Sequence, residues 1–213
     1  MTPAEQSAAT RAICARAPIV PVIVIDEAAH AAPLARALVA GGLPALEVTL
    51  RTPAALEAIR AMADVEGGVV GAGTLRTPAD VKAAKAAGAQ FGVSPGLTER
   101  LMRAAEDEGL PLLPGAVTAS EVMAALEWGY DMLKFFPAAT SGGAAAIKAL
   151  GGPLPQASFC PTGGISLKNA SDYLSLPNVL CAGGSWVAPP ERMAAGDWAG
   201  IEALAREAAA LPR

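Results

Sequence analysis

Lys134 lies in the stretch DMLKFFPAAT, where the neighbouring residues Met132, Leu133, Phe135 and Phe136 are all large and apolar. A lysine in such a run can lay its carbon chain along the core and keep its ammonium group in water. Alternatively, the whole side chain is buried, which disfavours the ammonium form and yields a nucleophilic amine that forms Schiff bases with carbonyl compounds. The ten residues alone favour the first interpretation, and the rest of the chain bears on the second.

Glu47 and Arg51 form a second set of reactive groups, in the segment ALEVTLR. Because side chains alternate along a strand, Glu47, Thr49 and Arg51 face one side and the apolar residues between them face the other. If the apolar side packs against helices, the polar side points into the sheet interior. A carboxylate and a guanidinium are costly there unless they pair or meet a ligand. The residues alone are compatible with two interpretations, a structural Glu47–Arg51 ion pair and a ligand site.

Eight apolar or β-branched runs recur along the chain at intervals of about 20 to 26 residues, close to the minimum for a strand, a helix and two loops. The runs are IVPVIVI (19–25), ALEVTL (45–50), GVVGAGT (68–74), AQFGVS (89–94), LPLLPG (110–115), DMLKFF (131–136), ASFCPT (157–162) and NVLCAGG (178–184). The Ala- and Leu-rich segments between them often begin at Thr or Ser, with an acid about three residues later, and end on Gly, as helices do.

Eight such units predict an α/β fold, a single (β/α)8 TIM barrel over residues 1–213. A doubly wound open sheet is the alternative, but it does not need eight units, and GVVGAGT lacks a GxGxxG fingerprint. Two further helices are predicted, an N-terminal one over 1–17 that caps the barrel or contacts a partner, and a C-terminal one over 197–213.

The barrel prediction also groups the polar residues, since chemistry in this fold occurs at the C-terminal ends of the strands. Interior layers draw side chains from alternate strands, and Glu47 and Lys134 are on strands two and six. We therefore expect the two to meet near the axis. Thr74 ends the third strand beside Arg51 and could bind a small anion, and Pro95 stiffens the turn after the fourth.

Two glycine pairs follow the last two strands, in CPTGGIS (160–166) and CAGGSWV (181–187). Glycine-rich turns expose backbone N–H groups next to helix N-termini, which favour anions. Phosphate commonly binds after strands seven and eight of this fold. The pair therefore predicts a phosphate site rather than two ordinary tight turns. Its predicted contacts are Thr162, Gly163, Gly164, Gly184 and Ser185.

Composition excludes several classes of protein. The net charge is −4 and no Lys/Arg cluster occurs, which argues against nucleic-acid binding. Three irregularly spaced cysteines do not suggest disulfides or zinc and indicate reduced thiols in a cytoplasmic protein. The single histidine, His30, lies in a helical pattern, so we expect no histidine-bound metal. The N-terminal segment lacks the apolar region of a signal peptide, and no segment is expected to span a membrane.

The motifs EVTLR, VGAGT, SPGLTE, KFFPA, FCPTGGIS and GGSW, in this order from about Pro18 to about Arg206, resemble the bacterial 2-keto-3-deoxy-6-phosphogluconate (KDPG) aldolase family. Members often also cleave 4-hydroxy-2-oxoglutarate (KHG). The resemblance implies a class I aldolase on a (β/α)8 barrel that needs no metal or cofactor. It also implies a homotrimer acting on a 2-keto acid phosphate in the Entner–Doudoroff pathway.

Motif by motif, Lys134 in KFFPA resembles the Schiff-base lysine of that family and Glu47 the residue that shuttles protons. Arg51 resembles the residue that holds the pyruvyl carboxylate. The resemblance also implies the remaining substrate contacts, which are Thr74, Pro95, Phe136, Thr162, Gly163, Gly164, Gly184 and Ser185.

Two other functions are compatible with the residues. One is a sugar-phosphate isomerase or epimerase on the same barrel, with Glu47 as a base and no covalent step. The other is a non-catalytic phosphate-sugar binding or scaffold protein in which Lys134 is structural. The first predicts turnover without Lys134, and the second predicts that no pyruvate is formed.

Overall fold

Parallel strands alternate with helices along residues 1–212, the part of the chain that the computed structural model describes. The strands are β1 (Ile19–Ile23), β2 (Ala45–Thr49), β3 (Val69–Gly73), β4 (Phe91–Val93), β5 (Leu112–Leu113), β6 (Met132–Phe135), β7 (Ser158–Pro161) and β8 (Ala182–Gly184). The helices are α1 (Pro3–Cys14), α2 (Ala31–Ala40), α3 (Ala55–Ala63), α4 (Pro78–Ala86), α5 (Glu99–Glu108), α6 (Ala119–Trp128), α7 (Gly143–Gly151), α8 (Ala170–Leu174), α9 (Pro190–Ala194) and α10 (Trp198–Ala209). A 3-10 turn at Ala28–His30 leads into α2.

Six of these strands form one curled parallel sheet in the order β5-β4-β3-β2-β1-β8, and β6 pairs with β7 in a separate two-stranded sheet. Isolated bridges connect β6–β7 to the residues on either side, Gly115–Lys134 on the β5 side and Phe159–Val179 and Thr162–Gly183 on the β8 side. The expected eight-stranded ladder is therefore interrupted on both sides of β6–β7. Proline explains the first interruption, because Pro111 and Pro114 flank β5 and cannot donate to a ladder.

The sheet is apolar on both faces, as expected for parallel strands covered by helices. Leu46 and Val48 of β2 point outward into the core between sheet and helices. Ala45 points inward, into a smaller cluster with Phe91 and Met132. The alternation predicted for β2 is confirmed, and it leaves Glu47 on the inward side.

Helix α1 is attached to the N-terminal ends of β5 and β6. The Gln6 side-chain oxygen accepts hydrogen bonds from the Leu112 backbone N–H (3.2 Å) and the Tyr130 hydroxyl (2.9 Å). The Ser7 hydroxyl accepts one from the Met132 backbone N–H at 2.9 Å. Both side chains are buried, so the helix is held at the end of the strands opposite the predicted site.

Three helices start as their sequences predict, with Thr77, Thr98 or Thr118 as N-cap. The segment TPAALEAIRAMA differs, because its helix begins at Ala55 instead of Thr52. The Thr52 hydroxyl instead donates to the Ile25 carbonyl, and Ala54 occupies the N-cap position without a side-chain cap.

Replacing Thr118 with alanine should lower the free energy of unfolding by about 1 kcal/mol, since it removes one half of a capping box. In this box the Thr118 hydroxyl accepts from Glu121 N–H, and the Glu121 carboxylate accepts from the N–H groups of Thr118 and Val117. Urea denaturation measures the loss, and Thr118→Ser, which keeps the hydroxyl, is the matched control. Equal losses in the two variants would mean that the cap contributes nothing.

Both terminal helices are shorter than predicted. The 1–17 helix extends over Pro3–Cys14, and the 197–213 helix over Trp198–Ala209. Arg213, the last residue of that prediction, lies outside the described residues. Within residues 1–212 no helix has the length and apolar character needed to cross a membrane.

Candidate active site

Lys134 and Glu47 meet in the sheet interior, at a distance of 3.0 Å between Lys134 Nζ and Glu47 Oε1. Both residues are buried, with 6% and 3% of their surfaces exposed. Their strands, β2 and β6, belong to different sheets, so the contact reaches across the interior rather than along a ladder. The prediction that the two residues meet is confirmed.

A cavity of about 230 Å³ opens above this pair. Its walls come from strand ends and from the loops that follow them. The lining residues are Val22, Glu47, Thr49, Arg51, Thr74, Pro95, Lys134, Phe136 and Thr162. The structure therefore brings together the residues predicted from EVTLR, VGAGT, VSPG and KFFPA.

Arg51 lies on the wall of this cavity with its guanidinium exposed. Among the ion pairs of residues 1–212, Glu47 pairs with Lys134 and Arg51 is not included, so the alternative of a Glu47–Arg51 pair is wrong. Thr74 on the same wall has a φ of 63°, unusual for a β-branched residue. A free guanidinium beside a hydroxyl residue suits a carboxylate.

A second cavity of about 200 Å³ adjoins the first and shares Val22, Arg51, Phe136 and Thr162 with it. We refer to these four residues as the neck. The remaining lining residues are Val24, Gly163, Gly164, Ile165, Gly183 and Ser185. The glycine turns predicted to hold phosphate therefore line the far end of one continuous space.

Gly163 and Gly164 make the turn after β7 with φ values of 99° and 73°, which favour glycine. A Cβ on Gly164 would lie 2.5 Å from the Cβ of Ala139, so this turn packs closely on the segment after β6. The backbone thus approaches the cavity without side chains in between.

Gly184 does not line either cavity, and the neighbouring Gly183 does. A Cβ on Gly184 would lie 1.9 Å from the Trp186 ring, so this glycine makes room for an indole. The predicted ligand contact of Gly184, which would be made by its backbone, stays a prediction.

Phe136 forms part of the neck and is 38% exposed. Its ring lies 5.3 Å from Lys134 Nζ, within the range of a cation–π contact. The peptide bond between Phe136 and Pro137 is cis. Across the neck, the Thr162 hydroxyl oxygen is buried and makes no hydrogen bond of ordinary geometry among the described residues.

Sequence reasoning missed Val22, Val24, Ile165 and Gly183 as lining residues. Alternation along IVPVIVI places Val22 and Val24 on one face, but two apolar side chains give no signal of a site. Only the position of β1 next to β2, with Val22 opposite Glu47, identifies them.

Gly73→Ala should lower turnover on the order of 100-fold, since an added Cβ would lie 2.3 Å from Glu47 Oε1 and displace the carboxylate. Gly152→Ala is the control, because its Cβ would meet only ordinary contact at 3.5 Å. Steady-state kinetics with circular dichroism measures both. Full activity in the Gly73 variant would show that the position of Glu47 is not critical.

The geometry can now be compared with known proteins. The family model described as KDPG and KHG aldolase matches residues 10–204. The chain belongs to the KDPG/KHG aldolase family. A 2-dehydro-3-deoxy-phosphogluconate aldolase of Dickeya dadantii is 54% identical over 91% of this chain and 91% of the relative. A KHG/KDPG aldolase of Escherichia coli is 53% identical over 90% of each.

Among solved structures of this family, the KDPG aldolase of Legionella pneumophila superposes with a TM-score of 0.91 at 46% identity. The alignment covers 94% of this chain and 98% of the other. That structure holds pyruvate captured as a covalent carbinolamine intermediate. The aldolase family resemblance found in the motifs is confirmed.

Proposed function

We propose that this protein is a class I aldolase that cleaves KDPG to pyruvate and glyceraldehyde 3-phosphate. The observation that carries the proposal is the buried contact between Lys134 and Glu47 at the base of a two-part cavity. The carbinolamine of the Legionella relative supports it. The names of relatives also support cleavage of KHG to pyruvate and glyoxylate as a second activity.

In the first stage the amine of Lys134 attacks the C2 ketone of the substrate. Glu47, 3.0 Å from Lys134 Nζ, is close enough to take the proton that the lysine releases and to return it to the departing hydroxyl. Water leaves and a cationic iminium remains. Arg51 binds the carboxylate next to C2 with its planar fork, with Thr74 beside it, so the carbonyl is held against the amine.

In the second stage the iminium draws electrons from the bond between C3 and C4. Glu47, directly or through a water, takes the proton of the C4 hydroxyl as that bond breaks. Glyceraldehyde 3-phosphate leaves, and the enamine of pyruvate remains on Lys134. Protonation at C3 and hydrolysis then release pyruvate and restore the free lysine. The iminium is the electron sink, so we propose that the lyase reaction is independent of metal ions.

The far cavity suits the phosphate. We assign it to Gly163, Gly164, Gly183 and Ser185, which line the cavity, and to the adjacent Gly184, with Thr162 between the two halves. Binding energy from a group so far from C2 can be used to orient the reacting carbons. Pro95 and Phe136 would close the sides of the pyruvyl half.

We further propose that the chain is one domain in which the eight strands close into a (β/α)8 barrel, with α1 capping its lower end. The bridges beside β6–β7 and the contacts of Gln6 and Ser7 support this. Exposed apolar side chains on α6, Met123 and Trp128, support assembly into a homotrimer. The three free thiols are typical of a cytoplasmic protein.

The test is to incubate the protein with pyruvate and sodium borohydride, digest it, and map the adduct by mass spectrometry. A reduced pyruvyl group on Lys134 alone is the expected result. The absence of an adduct in folded protein would favour the isomerase or the binding protein. Steady-state rates with KDPG, its C4 epimer and KHG then rank the substrates, and fastest turnover of KHG would overturn the primary assignment.

A further inference from the structure

Phe136 lies on the same side of the sheet as Lys134. Because side chains alternate along an extended chain, the residue two places after Lys134 points to the same side, and Phe135 between them points outward. Phe135 packs edge to face against Phe159 in the core between sheet and helices, whereas Phe136 lines both cavities. The segment KFFPA therefore places one of its two aromatic rings beside the reactive nitrogen.

The turn after β7 holds this ring in place. A Cβ on Gly163 would lie 3.2 Å from the Phe136 ring, so the bare backbone of this glycine packs against it. The Thr162 backbone N–H donates to the Phe135 carbonyl at 2.9 Å, and the Ala138 backbone N–H donates to the Thr162 carbonyl at 2.7 Å. These two hydrogen bonds tie the chain on both sides of Phe136 to the same turn, and the exposed part of the ring faces the cavities.

The Lys134 nitrogen lies over the face of the Phe136 ring, 5.3 Å from the ring centroid. The face of an aromatic ring carries the negative part of its quadrupole and attracts a cation at this range. The attraction is stronger where water is excluded, and Lys134 is buried. The ring therefore favours the charged forms of the nitrogen over its neutral forms.

In the proposed reaction the nitrogen changes charge when the neutral carbinolamine becomes the iminium cation. In this step the C2–O bond breaks, the hydroxyl leaves as water with a proton from Glu47, and the nitrogen lone pair forms the C=N bond. Glu47 is the closer neighbour at 3.0 Å, but its own charge changes as it gives up that proton. The ring exchanges no proton, so its attraction for a charged nitrogen is the same at every stage.

We propose that the Phe136 ring stabilises the iminium on Lys134 through a cation–π contact and so shifts the equilibrium from carbinolamine to iminium. This inference rests on the proposed aldolase function. The iminium spreads its charge over the nitrogen and C2 of the substrate, and C2 lies in the first cavity, whose wall includes the ring. Phe136 thus acts on the charge of the reacting atoms in addition to narrowing the neck.

The test replaces Phe136 with 4-fluoro-, 3,5-difluoro- and 3,4,5-trifluorophenylalanine, introduced by nonsense suppression. Fluorine withdraws electrons from the ring face step by step and changes the shape of the ring little, so the series weakens the cation–π contact while the ring stays. Carbon-13 NMR spectra with [2-13C]pyruvate report the iminium and the carbinolamine as separate C2 signals. The spectra are recorded at low pH, the condition at which the Legionella relative held the carbinolamine.

The ratio of iminium to carbinolamine should fall in the order of fluorination, by about fivefold in the trifluoro protein. Phe136→Leu, which keeps apolar bulk without a ring, should lower the ratio by a similar factor. The matched control is trifluorophenylalanine in place of Phe159, which packs in the outer core and lines neither cavity. This control should keep the ratio of the wild type.

Circular dichroism establishes that each protein is folded. An unchanged ratio across the folded fluorinated proteins would overturn the inference. A fall in Phe136→Leu without a fall in the fluorinated series would overturn it as well, because the effect would then come from packing. A wild-type protein that forms no adduct with pyruvate would instead refute the aldolase function.

Discussion

Lys134→Met should lower kcat/KM for aldol cleavage by on the order of 10⁴-fold or more, because the reaction loses its nucleophile. Methionine keeps the length and apolar character of the lysine chain without the amine. The buried carboxylate of Glu47 then loses its 3.0 Å partner, so the variant should also be less stable. Kinetics are therefore measured below the unfolding transition, with pyruvate coupled to an indicator reaction and borohydride trapping as the second assay.

Lys82→Met is the matched control, since Lys82 is an exposed lysine on α4. It should leave turnover and trapping unchanged. Residual turnover of a few per cent in folded Lys134→Met protein would point to the isomerase or epimerase, in which Glu47 acts without a covalent intermediate.

Glu47→Gln should lower kcat by about 10² to 10⁴-fold, the usual contribution of a positioned acid or base. The amide keeps the shape of the side chain over Gly73 but cannot take the proton from the C4 hydroxyl. Trapping of pyruvate should slow and still reach completion, because Lys134 remains. The separation of these two effects distinguishes proton transfer from nucleophilic attack.

The control for this change is Glu57→Gln on the exposed side of α3. It carries the same loss of charge at a distance from the cavity and should behave as the wild type. A Glu47→Gln protein with nearly full kcat would assign the proton transfer to another group in the cavity.

Much of the site could be predicted because strand alternation and strand order are both readable in the sequence. Glu47 and Lys134 are inward-facing residues of even-numbered strands, and this parity predicted their contact. In the distal pocket, Gly183 was not predicted as a lining residue. Gly183 and Gly184 are chemically identical, so the sequence does not tell which of the two faces the cavity.

Other features depend on contacts that a linear pattern does not contain. Val22 is an ordinary strand valine until β1 is placed beside β2. The pairing of β5 with β6 is interrupted by the prolines that flank β5. Their effect depends on which edge of the strand needs a backbone N–H donor. Thr52 looks like a helix cap in the sequence, but in the fold its hydroxyl donates to the Ile25 carbonyl and the helix begins three residues later.

Helix α1 spans the interrupted edge between β5 and β6 and holds these two strands together. The Lys134 backbone N–H donates to the Pro114 carbonyl across the same edge, where regular pairing is sparse. Gln6 and Ser7 bind the backbone of β5 and β6 at their N-terminal ends and so restrain β6, the strand that carries Lys134. The position of Lys134 therefore depends on helix α1. We expect a fusion or truncation that loosens α1 to affect catalysis, although α1 lies at the opposite end of the strands.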